Sequence, residues 1–513
     1  VDLDTAIGEL ILGRVSGTEL DAGTRKGLED GIMSGVTLFK DNACDLEQLV
    51  TLIDDVKKAS WKKPAIVTVD QEGGAVQRFD GIITDLPSAM ALGSLDEEAA
   101  QEIAAISAQE LNLLGINCVL APVLDVATNP RNPIIATRAY GSTPDLVARF
   151  GALTARTFLQ HNVLPVGKHF PGHGDTSQDS HTDLPALPFD RERLDAVELS
   201  PFKSCISALP AVLTAHVWLT EFEKEPLPAS LSARITTDLL RNSLGFDGLV
   251  FTDDMLMKAV DDRWGLAEGC VLALIAGNDQ LLACTDADSV RAVHAAIKKA
   301  VKDGRISEEH ILASMQRRAR ALQLIEPTAD RAPERIEKLA SLQAQNRRRS
   351  LEVSCRAISV LRGTVPDLRT AEETKPWVVI IPDHPRYRLE LARSIAAALP
   401  DGKKLGVKEI RFGLDPSSED IQRVVQETAG HHGILVTYKG LRNPGQIALG
   451  HALSTHLATR VTVATDVPED ALALPEWETA IATCDPSEQA MYALGTAFVH
   501  GTQPQARVHM TAI

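Results

Sequence analysis

The sequence predicts an α/β protein: an N-terminal (β/α)₈ TIM-like barrel followed by a smaller α/β sandwich-type domain. Three observations lead there. Over roughly the first 325 residues, short apolar strands alternate with amphipathic helices, as in a parallel sheet whose neighbours need crossover connections. Eight such units occur, the number that closes a barrel. Past Ile325 the pattern breaks at Pro327 and Pro333, and a second strand series begins near Pro376. The 513 residues exceed one ordinary core but suit a barrel of about 250 residues or more plus a smaller domain. A doubly wound open sheet shows the same alternation, and strand counting alone leaves it open.

The predicted barrel strands are Leu10–Gly13, Gly35–Phe39, Ala65–Val69, Cys118–Val123, Leu164–Gly167, Ala211–Thr214, Leu249–Phe251 and Gln280–Leu282. One helix is readable in detail. Ser94 and Glu97 have capping-box spacing, Ile103, Ile106, Leu113 and Leu114 share a stripe, and Gly115 closes it. The expected organisation is a catalytic barrel over 1–330, a linker with a helical segment over 331–370, and a C-terminal α/β domain over 371–513. The linker carries Arg347-Arg348-Arg349, expected to be a solvated helix face or an interdomain contact. Strands Trp377–Ile381, Ile410–Phe412, Gly433–Tyr438, Val461–Thr465 and Ala480–Cys484 build the last domain. It shows no glycine fingerprint and no concentrated polar cluster, so it is expected to carry no catalysis of its own.

Hydrophobic residues at 44% and charged residues at 24% are those of a globular protein. Lys+Arg 52 against Asp+Glu 69 gives a net charge of -17. Sequence-independent nucleic-acid binding and anionic-membrane binding both need a basic footprint, so neither partner is expected. No apolar run approaches the ~20 residues that span a bilayer. Val1-Asp2-Leu3-Asp4 has neither a basic n-region nor an apolar h-region. The 7 cysteines are scattered without a C-x-x-C pair, an arrangement of small buried hydrophobes and a reducing compartment. The expectation is a cytoplasmic protein with a small-molecule partner; the oligomeric state is not readable.

Polar residues cluster just past the strand ends: Asp70-Gln71-Glu72, Asp125, Lys168-His169, His216 and Asp253-Asp254. In a barrel all of these converge on the C-terminal face, where active sites are built. The densest segment runs from Lys168 to Thr176 and on through Asp179-Ser180-His181. Its His and Asp residues are metal-ligand types, but Lys168 beside His169 would repel a cation and no H-E-x-x-H spacing occurs. A metal-free pocket is the favoured reading, with no cofactor. In Asp179-x-His181 a carboxylate can hold an imidazole in one tautomer, which makes a general acid/base. Asp253 ends an apolar strand and can be a nucleophile, a metal ligand or a cap; the cap reading is stronger for Asp254. Asp70 can accept sugar hydroxyls, and Arg78 can donate to them.

These segments resemble glycoside hydrolase family 3, in its NagZ-type β-N-acetylglucosaminidase branch. The resemblance covers roughly residues 1–325 and rests on KHFPGHGDTSQDSH at 168–181, DQEGGAVQR at 70–78 and LGFDGLVFTDDMLM at 244–257. RNPIIATRAYG at 131–141 and AGNDQLL at 276–282 support it. The resemblance implies a (β/α)₈ barrel, Asp253 as nucleophile, and His181 as acid/base oriented by Asp179. It implies substrate binding by Asp70, Arg78, Arg138, Lys168, His169 and Met257. The activity implied is retaining removal of terminal β-linked N-acetylglucosamine from muropeptide or chitin-type oligosaccharides. A phosphorylase on the same residues is an alternative, because a neutral imidazole does not repel phosphate. A β-glucosidase is another, since nothing evident selects the 2-acetamido group. Outside this class stand a metal-dependent barrel hydrolase and a catalytically silent sugar-binding protein.

Overall fold

The computed structural model describes residues 2–180, 183–326, 330–368, 376–383, 389–399, 406–501, 503–504, 506–508 and 510. Strands β1 (Ile11–Arg14), β2 (Gly35–Leu38), β3 (Ile66–Val69), β4 (Cys118–Val119), β5 (Leu164–Phe170), β6 (Ala211–Thr214), β7 (Leu249–Asp254) and β8 (Gln280–Leu282) close a parallel barrel in sequential order, with β8 pairing β1. Each predicted barrel strand is present. β4 is short, but its backbone goes on pairing with β5 beyond Val119: the Ala121 and Pro122 carbonyls accept the N–H groups of Val166 and Lys168 at 2.9 and 3.0 Å, and a bridge joins Val123 to Lys168. Alternate residues point to opposite faces. Leu12, Ile66, Val166, Leu213 and Phe251 share one buried cluster, while Ile11, Val36 and Val67 belong to another.

The helix after β3 spans Glu97–Leu114 and ends at Gly115, whose φ of 99° is the left-handed closure expected. Its start differs from the capping box. Asp96 is the cap, accepting from the Ala99 N–H at 2.9 Å. Ser94 instead ends the short helix Ala89–Gly93, donating its hydroxyl to the Ala91 carbonyl at 2.6 Å. A carboxylate at a helix N-terminus gains from both the hydrogen bond and the dipole, and Ser94 is already used.

A helix over Ala332–Ala357 packs against barrel helices Leu46–Ala59 and Glu97–Leu114, and against Glu488–His500 of the second domain. The arginine triplet lies on it and touches the barrel. Arg349 pairs with Glu102 at 2.8 Å, and Arg347 donates to the Gly81 carbonyl at 2.8 Å. The second sheet comprises β9 (Ser359–Arg362), β10 (Trp377–Pro382), β11 (Val407–Phe412), β12 (His432–Thr437), β13 (Thr459–Ala464) and β14 (Thr479–Ala482), ordered β9-β14-β13-β12-β10-β11. All neighbours are parallel except β9 with β14. β9 lies inside the segment read as linker; its side chains past Ser359 are half-buried, as on a strand paired along one edge only.

The carboxyl ends of β12, β13 and β14 face the barrel loops. Ala464, Ala471, Ala480 and Ala482 pack with Met90, Ala127, Ile135 and Ala139, and these small side chains let the two backbones approach closely. Ser88 donates its N–H to Asp485 at 3.1 Å and its hydroxyl to the Cys484 carbonyl at 2.5 Å. Among the described residues, no helix is long and apolar enough to cross a membrane.

Candidate active site

A cavity of about 500 Å³ lies at the carboxyl ends of the barrel strands. Its floor is an ion network. Lys168, on β5 and 2% exposed, donates to Asp70 at 2.7 Å and pairs with Glu72 at 2.5 Å. Arg78 donates to the second Asp70 oxygen at 2.9 Å. Arg138 grips Glu72 with Nε and Nη2 at 2.8 and 2.9 Å, the bidentate geometry a planar guanidinium favours. Burial opposes ionisation of Glu72, but Arg138 and Lys168 outweigh it and hold the carboxyl at about 2. Burial likewise opposes the charge on Asp70, and Lys168 with Arg78 overcomes it, so its carboxyl also falls below the usual range. Among the described residues the buried Arg78 Nε has no hydrogen-bond partner, although the residue lines the cavity.

The loop after β5 is locked from behind. Asn132 donates its amide to the carbonyls of His173 and Gly174 at 2.9 and 3.0 Å. Gly174 is required there, because a Cβ would stand 1.9 Å from the Val126 carbonyl oxygen. The Nδ1 of His169 lies 2.6 Å from Asp125, and its Nε2 lies 3.2 Å from the Arg138 Nη2. His173 has Nδ1 at 2.8 Å from the Thr176 hydroxyl and Nε2 at 3.0 Å from Ser180. Burial, and then the nearby His169, push His173 down to about 4. It therefore serves as a neutral pin that ties the loop to Ser180. Asp179 and Ser180 line the cavity. His181 lies outside the described residues.

Asp253 sits at the end of β7 and lines the cavity. Burial opposes its charge, but attraction from His169, His216 and Lys168 and the N–H of Asp254, at 2.9 Å, hold its carboxyl below the ordinary range. Asp254 shows the opposite behaviour. Burial and the neighbouring Asp253 push it up to about 6, against the N–H of Leu256 that it accepts at 3.1 Å. It does not cap the following helix, which starts at Lys258 with Met257 in the cap position. Adjacent carboxyls with opposite shifts mark a site where environment assigns different roles.

The structure thus gathers Asp70, Arg78, Arg138, Lys168, His169, Asp179 and Asp253 around one cavity. Met257 is 7% exposed and is not among the residues that line it. Two groups escaped the sequence reading. Glu72, at the hub of the floor network, was visible only as part of a strand-end triplet. Part of the cavity wall comes from the second domain: Leu414, Tyr438, Lys439, Arg442, Asn443 and Asp466. Its signal was the one used for the barrel, strands ending in polar residues, and it recurs at β12 and β13.

Residues 2–321 match the model of the glycosyl hydrolase family 3 N-terminal domain. A family 3 β-N-acetylglucosaminidase from Paenibacillus sp. str. FPU-7 superposes with a TM-score of 0.87 at 31% identity, covering 100% of both chains. A β-hexosaminidase of Idiomarina loihiensis is 34% identical over 277 residues, 53% of this chain and 82% of that protein. β-Hexosaminidase A of Pseudoalteromonas piscicida is 30% identical over 315 residues, 56% of this chain; the match spans 53% of that longer protein. The matched barrel carries the Lys168 to Ser180 loop, the Asp70 to Arg78 turn and Asp253, and by this match the chain belongs to glycosyl hydrolase family 3.

Proposed function

We propose that this chain is a retaining exo-β-N-acetylglucosaminidase that releases terminal β-linked N-acetylglucosamine from chitin-type or cell-wall muropeptide oligosaccharides. The observation that carries the reading is Asp253. It is a carboxylate at a strand end, held ionised in a cavity whose floor presents Asp70, Arg78 and Lys168 as hydroxyl partners. Asp253 attacks the anomeric carbon, and its negative charge stabilises the oxocarbenium-like transition state. His181 gives a proton to the leaving oxygen, held by Asp179, and a glycosyl–aspartate forms. Neutral His181 then takes a proton from water as that water attacks. An imidazole does this near neutral pH without the raised carboxyl pKa that an Asp or Glu acid would need.

All groups assigned to chemistry belong to the barrel, and the second domain supplies further lining of the cavity. A cytoplasmic setting fits the free cysteines, of which Cys118, Cys205, Cys270, Cys284 and Cys484 are buried. The name of the Paenibacillus relative, a β-N-acetylglucosaminidase, supports the N-acetylglucosamine glycone, and that of the Idiomarina relative, a β-hexosaminidase, supports an amino-sugar glycone more broadly. The deciding assay compares aryl β-N-acetylglucosaminide with aryl β-glucoside, each with and without phosphate. Hydrolysis of the first, indifferent to phosphate and to chelator, is expected. Faster cleavage of the glucoside, or a sugar phosphate as product, would overturn the reading.

A further inference from the structure

The wall contributed by the second domain contains a carboxyl group that no described residue answers with a hydrogen bond. Asp466 is 4% exposed and lines the same cavity as the floor network. Among the described residues no protein group donates a hydrogen bond to it; burial pushes its carboxyl up, against the weaker pull of Lys439 and Arg442. Lys439 is already committed, donating to the Pro133 carbonyl at 2.8 Å. Buried polar groups are almost always hydrogen-bonded, and one held in place without a donor is costly.

The surroundings of Asp466 are built rather than loose. Thr465 donates both its N–H and its hydroxyl to the Thr437 carbonyl, at 3.0 and 2.8 Å, which fixes the chain as it leaves β13. Asp470 accepts the N–H groups of Gly440 and Leu441 at 2.6 and 2.9 Å, holding the loop after β12 that carries Lys439 and Arg442. Gln446, fully buried, binds the same loop through the N–H and the carbonyl of Tyr438 at 3.0 and 2.9 Å. Ligands of open parallel sheets bind beyond the carboxyl ends of the strands, and Asp466 stands there, two residues past the end of β13.

The geometry points to Asp466 as the residue with which the second domain grips the leaving group, a second sugar whose hydroxyls donate to its carboxylate. This rests on the glycosidase reading above. The floor holds the glycone with its own charges, so donors for Asp466 must come from the other side of the bond being cut. A neutral second sugar and one bearing a carboxylate share this hydroxyl chemistry. The exposed Arg442 beside it would favour the carboxylate-bearing one.

The test uses the full chain with Asp466→Ala and Asp466→Asn. It compares kcat/KM for β-1,4-linked N-acetylglucosamine disaccharide with kcat/KM for 4-nitrophenyl N-acetyl-β-glucosaminide. Losing a hydrogen bond to a charged group should lower the disaccharide-to-aryl ratio by about 10- to 100-fold in Asp466→Ala, and by less in Asp466→Asn, which keeps one acceptor. A ratio unchanged within about threefold would overturn the assignment, whether both rates fall together or neither falls. A lowered unfolding midpoint for Asp466→Asn would also overturn it, because that would make the carboxylate a structural partner. Should the wild type prefer a different glycone, the same ratio is taken with that glycone's disaccharide and aryl glycoside. The choice of glycone then judges the N-acetylglucosaminidase reading, and the ratio judges Asp466. A carboxylate-bearing second sugar forms a further arm. If it is the source, its advantage over the neutral disaccharide disappears in Arg442→Gln; if the advantage never exists, the neutral sugar is the ligand.

Discussion

The Nδ1 of His169 lies 2.6 Å from an oxygen of Asp125, and the other Asp125 oxygen accepts the backbone N–H of His173 at 2.6 Å. One buried carboxylate thereby sets both the ring facing the cavity and the start of the loop that leads to Asp179. Burial opposes its charge, but His169 and His173 keep its carboxyl below the ordinary range. An amide cannot serve both partners, since only one of its two atoms accepts. Asp125→Asn should keep the fold while a small misplacement of His169 and the loop lowers kcat/KM by about 10²-fold. Kinetics beside a thermal midpoint checks this, and wild-type kinetics in the variant would remove Asp125 from the machinery.

Asp253 and Asp254 are adjacent, and only one can be the nucleophile. Asp253 lines the cavity and its carboxyl is held below the ordinary range, whereas burial pushes that of Asp254 up to about 6. Asp253→Ala should lose nearly all turnover. A 2-deoxy-2-fluoro glycoside with a good leaving group should label Asp253 in the wild type, read by peptide mass spectrometry. A label on Asp254 would reverse the assignment.

Asp254 gives a stability prediction whose sign follows from linkage. Its carboxyl is pushed up to about 6 in the fold, against about 3.9 in an unfolded chain. The folded state therefore binds the extra proton between these values, and stability falls as pH rises from about 4 to about 6. The loss is about 2–3 kcal/mol and persists above that window. The Asp254 Oδ1 alone accepts from Leu256 and Cys284, at 3.1 and 3.4 Å, and an amide oxygen can do the same. Asp254→Asn should then raise the unfolding midpoint at pH 8 and do little at pH 4.5. Midpoint curves that run parallel across this range would contradict it.

Much of the barrel was legible because each buried parallel strand is a short apolar run that ends where polar side chains begin. The floor residues were legible for the same reason: Asp70, Lys168 and Asp253 sit at those ends. Ser94 was misread because two residues suitable for capping stand within one turn, and only packing shows that Ser94 closes the preceding helix. The wall of the second domain left no linear motif. Lys439 and Asp466 follow different strands, and parallel pairing of β12 with β13 brings them to one cavity. β9 was lost in the linker because a strand paired along one edge, with half-buried side chains, lacks the apolar run of a central strand.

On the proposed mechanism His181 and Asp253 contribute differently to the barrier, and leaving groups can separate them. Protonation matters when the departing oxygen is a poor leaving group such as a sugar alkoxide, and matters little for a dinitrophenolate. General acid help is worth about 10²–10⁴-fold. His181→Ala should therefore slow disaccharide cleavage by about that factor while the first step with dinitrophenyl glycosides proceeds. The second step loses its base, so the glycosyl–Asp253 intermediate should accumulate with the activated substrate and appear as a burst of dinitrophenolate. Azide needs no deprotonation and should restore turnover, giving a β-glycosyl azide. Asp179→Asn should show a milder version, because the imidazole stays and only its orienting charge is lost. Equal slowing for every leaving group, with no rescue by azide, would make His181 a binding residue and leave the proton to another group on the cavity wall.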